Sequence, residues 1–263
     1  MNSTVPSWAG VAASIALVGL AVAVAWRQRL HLARDIAVAA VRAGVQLTAV
    51  GALLIFVFER TGAAGAVGWL ALMVVIAGRV SAGRCAGMPR ALPVATTAAA
   101  VGTAATLGAL LALGVVTPQA RVVIPVGGMV VAGAMQATTL VLVRLRDEAR
   151  TARPAIEARL ALGLPAAEAF APHLRSTLRT ALVPAVDATR TVGLISLPGA
   201  MTGLILAGVD PFTAIRYQIV VMYMMLCAAA LSALTAARLA ERALFDDVHR
   251  LRPFAAGATG EGF

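Results

Sequence analysis

The sequence predicts an all-α, polytopic membrane protein. Three observations carry that expectation. The chain of 263 residues is 60% hydrophobic and only 13% charged, where a soluble domain would carry about 25% charged residues. Uncharged apolar runs of membrane-span length recur along it, and a helix needs about 20 apolar residues to cross the hydrocarbon core. The charged residues cluster at the ends of those runs. Backbone groups cannot stay unpaired in lipid, so the runs are helices. A β-barrel would alternate apolar and polar residues over strands of about 10 residues, and no such alternation is present.

Seven spans are expected. The first covers 8–25 and is followed by Trp26, an interface anchor, and by Arg27, Arg29 and Arg34. No charge precedes it, whereas a cleaved signal peptide has its positive charges in front. It therefore reads as a retained span with its N-terminus outside. The second, 36–58, contains Arg42 and Gln46; Glu59, Arg60 and a Gly/Ala turn follow. The third is short, 63–78, and ends before Arg79, Arg84 and Arg90, with Pro89 and Pro93 breaking the chain. The fourth is 92–116, and Thr117, Pro118, Gln119, Ala120 and Arg121 form a turn into the fifth, 122–143. A polar stretch, 144–190, precedes the sixth span, 191–209. Asp210-Pro211 turns into the seventh, 215–237, and a basic tail runs from Arg238 to Arg252.

Charge placement orients these spans. All 22 basic residues are arginine. With the N-terminus outside, 18 of the 22 fall on cytoplasmic segments, as the positive-inside bias requires. Arg60, Arg121 and Arg216 fall outside, and Arg42 falls within the membrane. The C-terminus is then cytoplasmic. Residues 1–245 form one membrane domain and 246–263 a cytoplasmic tail without fixed structure. The net charge of +10 belongs to these membrane-flanking arginines and points to no nucleic-acid partner. Cys85 and Cys227 lie in or beside separate apolar segments with no metal-type spacing, and both read as packing residues.

The stretch 144–190 is the only large water-exposed element. Glu157-Ala158-Arg159 and the following Leu160 to Leu162 read as a helix stopped by Gly163. Leu164-Pro165 restarts the chain, and Pro172 and Pro184 divide the remainder of the stretch into further pieces. One reading is a solvated loop with ordinary punctuation. The sharper one is a docking hairpin that presents Leu160, Leu162, Leu164 and Phe170 to a partner.

The sixth span is interrupted at Pro198-Gly199. Proline removes a backbone donor and clashes with the preceding turn. The carbonyls near Leu194 and Ile195 must then find partners in protein or water. Broken spans of this kind point to a transport path, and a structural kink against neighbouring helices fits equally. Arg42 and Gln46, one turn apart, either face the bundle interior or, for Arg42, snorkel to the interface. Met129, Met135 and Gln136, with Thr138 and Thr139, give the fifth span its polar and thioether groups; methionine is also the ordinary filler of apolar cores. Asp187 and Arg190, three apart at the cytoplasmic mouth, have the spacing of an ion pair. The spans carry no carboxylate, which argues against a buried proton relay and against a hard-metal site made by one chain.

Absences narrow the function further. Without lysine there is no P-loop, so the chain cannot hydrolyse ATP by that route. A retinal Schiff base is excluded for the same reason. His31, His173 and His249 are scattered, and neither HExxH nor GxSxG occurs. A transport subunit fits better than an enzyme, and it brings no cofactor of its own.

One long pattern is more specific than any of these. Pro184-Ala-Val-Asp187-Ala-Thr-Arg190-Thr-Val-Gly193-Leu-Ile-Ser196-Leu-Pro198-Gly199-Ala-Met201-Thr-Gly203, continuing through Asp210-Pro211 and Arg216-Tyr217-Gln218, resembles the signature of ABC permeases of the FetB type. These are bacterial permeases ascribed to iron export, with related plant proteins linked to aluminium tolerance. Arg42 with Gln46, and Pro125 with Gly128-Met129, fit the same pattern. The resemblance implies a permease half in the bacterial cytoplasmic (inner) membrane. It would pair with a second copy of itself and with a separate ABC ATPase subunit that holds ATP and magnesium. On that reading Glu157, Ala158, Gly163 and Leu164 form the coupling element. Arg42, Gln46, Met129, Met135, Gln136, Ser196, Pro198, Gly199 and Met201 line the path, and Asp187 and Arg190 gate its cytoplasmic mouth. The chain departs from the family's Gly-Asn-Ala-Met on the fifth span, where Ala132-Gly133-Ala134-Met135 lacks the Asn, and the end of the third span, Ala77-Gly78, is less polar than usual. Alternatives from other classes are a stand-alone channel or secondary carrier, and a membrane scaffold that binds a signalling partner through its hairpin.

Overall fold

The computed structural model describes residues 8–29, 32–60, 62–195, 197–246 and 248–253. Among them the chain is helical throughout: α1 (Trp8–Arg27), α2 (Ala33–Arg60), α3 (Ala63–Arg84), α4 (Ala91–Ala112), α5 (Ala120–Thr151), α6 (Arg153–Ala161), α7 (Ala166–Thr191), α8 (Gly199–Leu206) and α9 (Pro211–Leu244). The backbone forms two units. One holds α1 packed against α2, and the other holds α3 to α9.

Four helices of the described residues, all in the larger unit, are long and apolar enough to cross a membrane: α3, α4, α5 and α9. This is a multi-pass membrane protein. The sixth expected span is not a single helix. α7 ends at Thr191, the backbone leaves helical geometry through residues 192–195, and α8 begins only at Gly199 with Pro198 as its N-cap. Pro198 thus starts a new helix instead of kinking an existing one, because its fixed φ and missing donor suit that position. α8 closes on Gly208, in left-handed backbone, whose N–H donates to the Ile205 carbonyl while that of Val209 reaches Leu204. Asp210 then caps α9 by accepting from the Thr213 N–H at 3.0 Å, with Pro211 in the first turn.

α7 corrects two expectations. It runs unbroken for 26 residues through Pro172 and Pro184. Each proline removes one helical hydrogen bond, yet the buried stripe Ala166, Ala169, Phe170, Thr177 and Ala181 holds the helix to its neighbours on both sides of Pro172. Its second half also does not stay clear of the spans. Ala181, Pro184, Ala185 and Ala188 share a cavity with Gly133, Gln136 and Leu140 of α5, well inside the fifth span. Arg175, Ser176, Arg179 and Thr180, among the polar residues of α7, stay exposed.

α5 and α9 organise the larger unit. They have 32 and 34 residues, about 48 and 51 Å at about 1.5 Å per residue. The hydrocarbon core is only about 30 Å thick, so both helices continue beyond it. Their mutual packing, and that of α9 on α4, uses small residues. Ala228, Ala229, Ala233, Ala236, Ala237 and Ala240 are all buried, and such stripes let helix backbones approach closely. At Gly102 of α4, a Cβ would lie 2.8 Å from the Ser232 Cβ and 3.0 Å from the Ala228 carbonyl oxygen. The close approach is the reason for glycine there.

Beyond the apolar part of α5 the core carries on. Leu145, Ala149, Ile156, Phe170 and Leu244 are fully enclosed, joined by Phe245 and Leu251. Cys85, just after α3, belongs to this cluster. Burial pushes its thiol up to about 11, so it stays neutral and inert near pH 7.

Gly102→Val overpacks a backbone-lined contact and is expected to cost about 1–3 kcal/mol. Gly83→Ala, where a Cβ meets open space, is the matched control. Thermal unfolding of the detergent-solubilised protein should drop for the first and not for the second.

Candidate functional site

Two places in the larger unit collect polar groups. The first is the corner between α6 and α7. Pro154 enters the first turn of α6, and the helix ends in a hydrogen-bonded glycine stop. Gly163 has φ +88°; its N–H donates to Leu160 at 2.9 Å, and the Leu164 N–H donates to Arg159 at 3.3 Å. Pro165 then caps α7 in extended backbone. Arg159 crosses the corner and donates to the Ala169 carbonyl at 3.3 Å. On α6, Arg153 and Glu157 pair at 2.7 Å, one turn apart and both partly exposed, an arrangement of modest strength.

Phe170 does not face a partner, contrary to the docking-hairpin reading. It is fully buried, stacked on His173 at 6.0 Å and edge-on to Phe245 at 5.8 Å. His173 Nδ1 lies 2.7 Å from the Glu148 carboxylate, tying α7 to α5. The aromatic ring therefore fastens the corner to the core, since a large apolar side chain gains most by full burial. Leu162 remains 80% exposed at the tip, and Leu160 and Leu164 are half-buried.

A second wall comes from the end of the chain. After α9, Phe245 pairs with Leu251 in an isolated antiparallel bridge. The Asp246 carboxylate accepts from the Val248 N–H at 3.1 Å and the Arg250 N–H at 2.7 Å. The Arg252 N–H returns to the Leu244 carbonyl at 2.8 Å. This loop and the corner enclose a groove of about 730 Å³ lined by Arg153, Glu157, Leu160, Gly163, Leu164, Pro165 and residues 248–251. Three of the four expected coupling residues line it, Glu157, Gly163 and Leu164; Ala158 is exposed on α6 outside it.

The second place is a cavity of about 400 Å³ between α5, α7 and α9, with Arg84 of α3 at its edge. Gln136, Thr139, Thr189, Met222 and Met225 contribute its polar and thioether groups. Thr139 is held by bonds of 2.8 Å to Ser81 and to the Met135 carbonyl. Of the expected path residues, only Gln136 lines this cavity. Met135 packs with Val74, Ala77 and Ala99 on the opposite side of α5. Met129 is half-buried elsewhere on α5. Pro198, Gly199 and Met201 sit together at the start of α8, and Ser196 lies outside the described residues. Arg42 and Gln46 share one open apolar face of α2 with Val38, Val41 and Val45 in the smaller unit. Asp187 and Arg190 are both exposed and make no ion pair with each other. Among the described residues no group of three metal-type side chains occurs. Sequence reasoning missed Arg84, Met222 and Met225, which it had assigned to a span end and an apolar run.

The uncharacterised protein family UPF0014 matches residues 8–245. The chain belongs to this family. It is 39% identical over 243 residues to the UPF0014 membrane protein STAR2 of rice, covering 91% of this chain and 84% of that protein. It is 36% identical over 245 residues to the protein ALUMINUM SENSITIVE 3 of Arabidopsis, covering 92% and 88%. It is 34% identical over 256 residues to the probable iron export permease protein FetB of Escherichia coli, covering 95% and 97%. The FetB-type resemblance thus spans nearly the whole chain. No solved structure matches it.

Asp246→Ala removes both acceptor bonds that close the C-terminal loop, at about 1–2 kcal/mol in total. Trypsin cleavage after Arg250 is expected to speed up about tenfold, read by mass spectrometry, with cleavage elsewhere unchanged.

Proposed function

We propose that this chain is the permease subunit of an ABC transporter, working with a second copy of itself and with a separate ATPase. The groove at the α6–α7 corner is the observation that carries this reading. It is rigidly mounted on α5 and α9, it lies at the arginine-rich end of the unit, and it offers an exposed leucine tip beside a charged pair. A membrane chain without a P-loop has little other use for such a corner. Energy from ATP and magnesium on the partner would enter here and pass along two helices that continue straight into the membrane.

Seven spans with the arginine-rich end in the cytoplasm remain the preferred topology, with α1 and α2 as the first two. The sixth passage is then discontinuous, made from the end of α7, the irregular segment and α8. Irregular backbone at membrane depth is tolerated where it lines a cavity or packs in protein. By its likeness to a probable iron export permease, the cargo is a metal ion or a small metal complex, moved outward across the bacterial inner membrane.

The test is purification of the tagged chain from its native membranes, with mass spectrometry of the proteins that accompany it. A P-loop ATPase is expected in comparable amount. Glu157→Lys should reduce its recovery at least tenfold, while Arg121→Glu, at the other end of α5, should not. If no ATPase accompanies the wild-type chain, the reading fails.

A further inference from the structure

The cavity between α5, α7 and α9 has an unusual set of groups for a metal carrier. Among the described residues that line it, the only charged one is Arg84. No carboxylate lies within ion-pairing distance of that guanidinium among the described residues. Gln136, Thr139 and Thr189 add neutral polar groups, and the two thioethers complete the lining. Thr139 and Thr189 already donate to the carbonyls of Met135 and Ala185. Arg84 and the Gln136 amide are therefore the groups left to address a ligand.

A bare divalent cation is badly served here. Hard cations need about six oxygen ligands with carboxylates among them, and softer ones are served by imidazole, thiolate or thioether. The cavity offers two thioethers but no carboxylate, imidazole or thiolate among its described lining, and it carries a positive charge at its edge. An unpaired guanidinium at the open edge of an apolar cavity can hold a planar or polyoxo anion with two parallel bonds. The volume, about 400 Å³, falls within the roughly 300–1,000 Å³ of small-molecule sites. Arg84 lies in the last turn of α3. Gln136 stands eight residues before Arg144, about 12 Å of helix. The site therefore runs inward from the arginine-rich end.

Building on the permease reading above, we propose that the cavity accepts cargo as a compact oxyanion, free or chelating a metal, and that Arg84 recognises its negative charge. The free metal ion is then not the species that binds.

Equilibrium binding to the purified full chain in lipid nanodiscs, without any ATPase, tests this. The probes are citrate, ferric citrate, and ferrous chloride under anaerobic conditions. At least one citrate probe should bind saturably, and the comparison between the two shows whether the anion or its metal chelate is preferred. Arg84→Gln should weaken that binding at least tenfold, with Arg84→Lys recovering part of it. Gln136→Glu leaves Arg84 in place and adds a negative charge, so it should weaken anion binding too. Arg84 is exposed, and unchanged thermal unfolding of the variants will show that they fold. Saturable ferrous binding that Gln136→Glu strengthens would overturn the proposal, as would citrate binding indifferent to Arg84. Absence of an ATPase partner would leave this result standing, and failure here would leave the partnership untouched.

Discussion

Everything in the larger unit depends on the close contact of α9 with α4 and α5. Alanine and glycine at the crossing points bring the backbones together where bulkier residues would hold them apart. In lipid this packing is sustained by dispersion and fit more than by the hydrophobic effect. The same two helices, α5 and α9, then outrun the bilayer and gather α6, the start of α7 and the C-terminal loop around Phe170, Leu244 and Leu251. A single continuous core thus joins the membrane part to the corner outside it. Interiors packed in this way transmit displacement instead of absorbing it. That is the property a permease needs if a partner is to move it from one end.

The parts visible in the sequence were those governed by local rules. Apolar runs located the third, fourth, fifth and last spans, since lipid admits only satisfied backbone. Gly163 and Pro165 marked the corner, because left-handed backbone and a fixed φ are single-residue properties. Asp210-Pro211 marked a turn before the last span, and α9 starts on that proline, four residues earlier than the apolar run suggested. The features hidden from the sequence were set by tertiary contact. Phe170 looked like an exposed anchor until Phe245 and His173 were brought onto it from distant positions. Pro172 and Pro184 looked like helix ends, yet packing carried α7 through both. Residues 245, 246 and 248–252 had no periodic signal, and only their bonds back to Leu244 and Asp246 reveal a folded loop.

The candidate site divides along the same line. The corner was legible because Gly163 and Leu164 sit on one tight turn, with Glu157 on the helix that leads into it. The path residues were not, because a cavity is assembled from four helices and no helix announces which neighbour it will meet. Gln136 was found as a polar residue at membrane depth. Arg84 was counted only as a topological charge. Its place in the same cavity as Gln136 is what brings the shortage of carboxylates to bear on the charge of the proposed cargo.

The central claim is that this chain moves its cargo only when an ATPase drives it through the corner. Transport into or out of proteoliposomes loaded with ferric citrate tests this most directly, comparing the chain alone with the chain and its ATPase. The account predicts flux only with both subunits and hydrolysable ATP. Flux through the chain alone, without ATP, at a comparable rate would contradict it and favour a channel or secondary carrier.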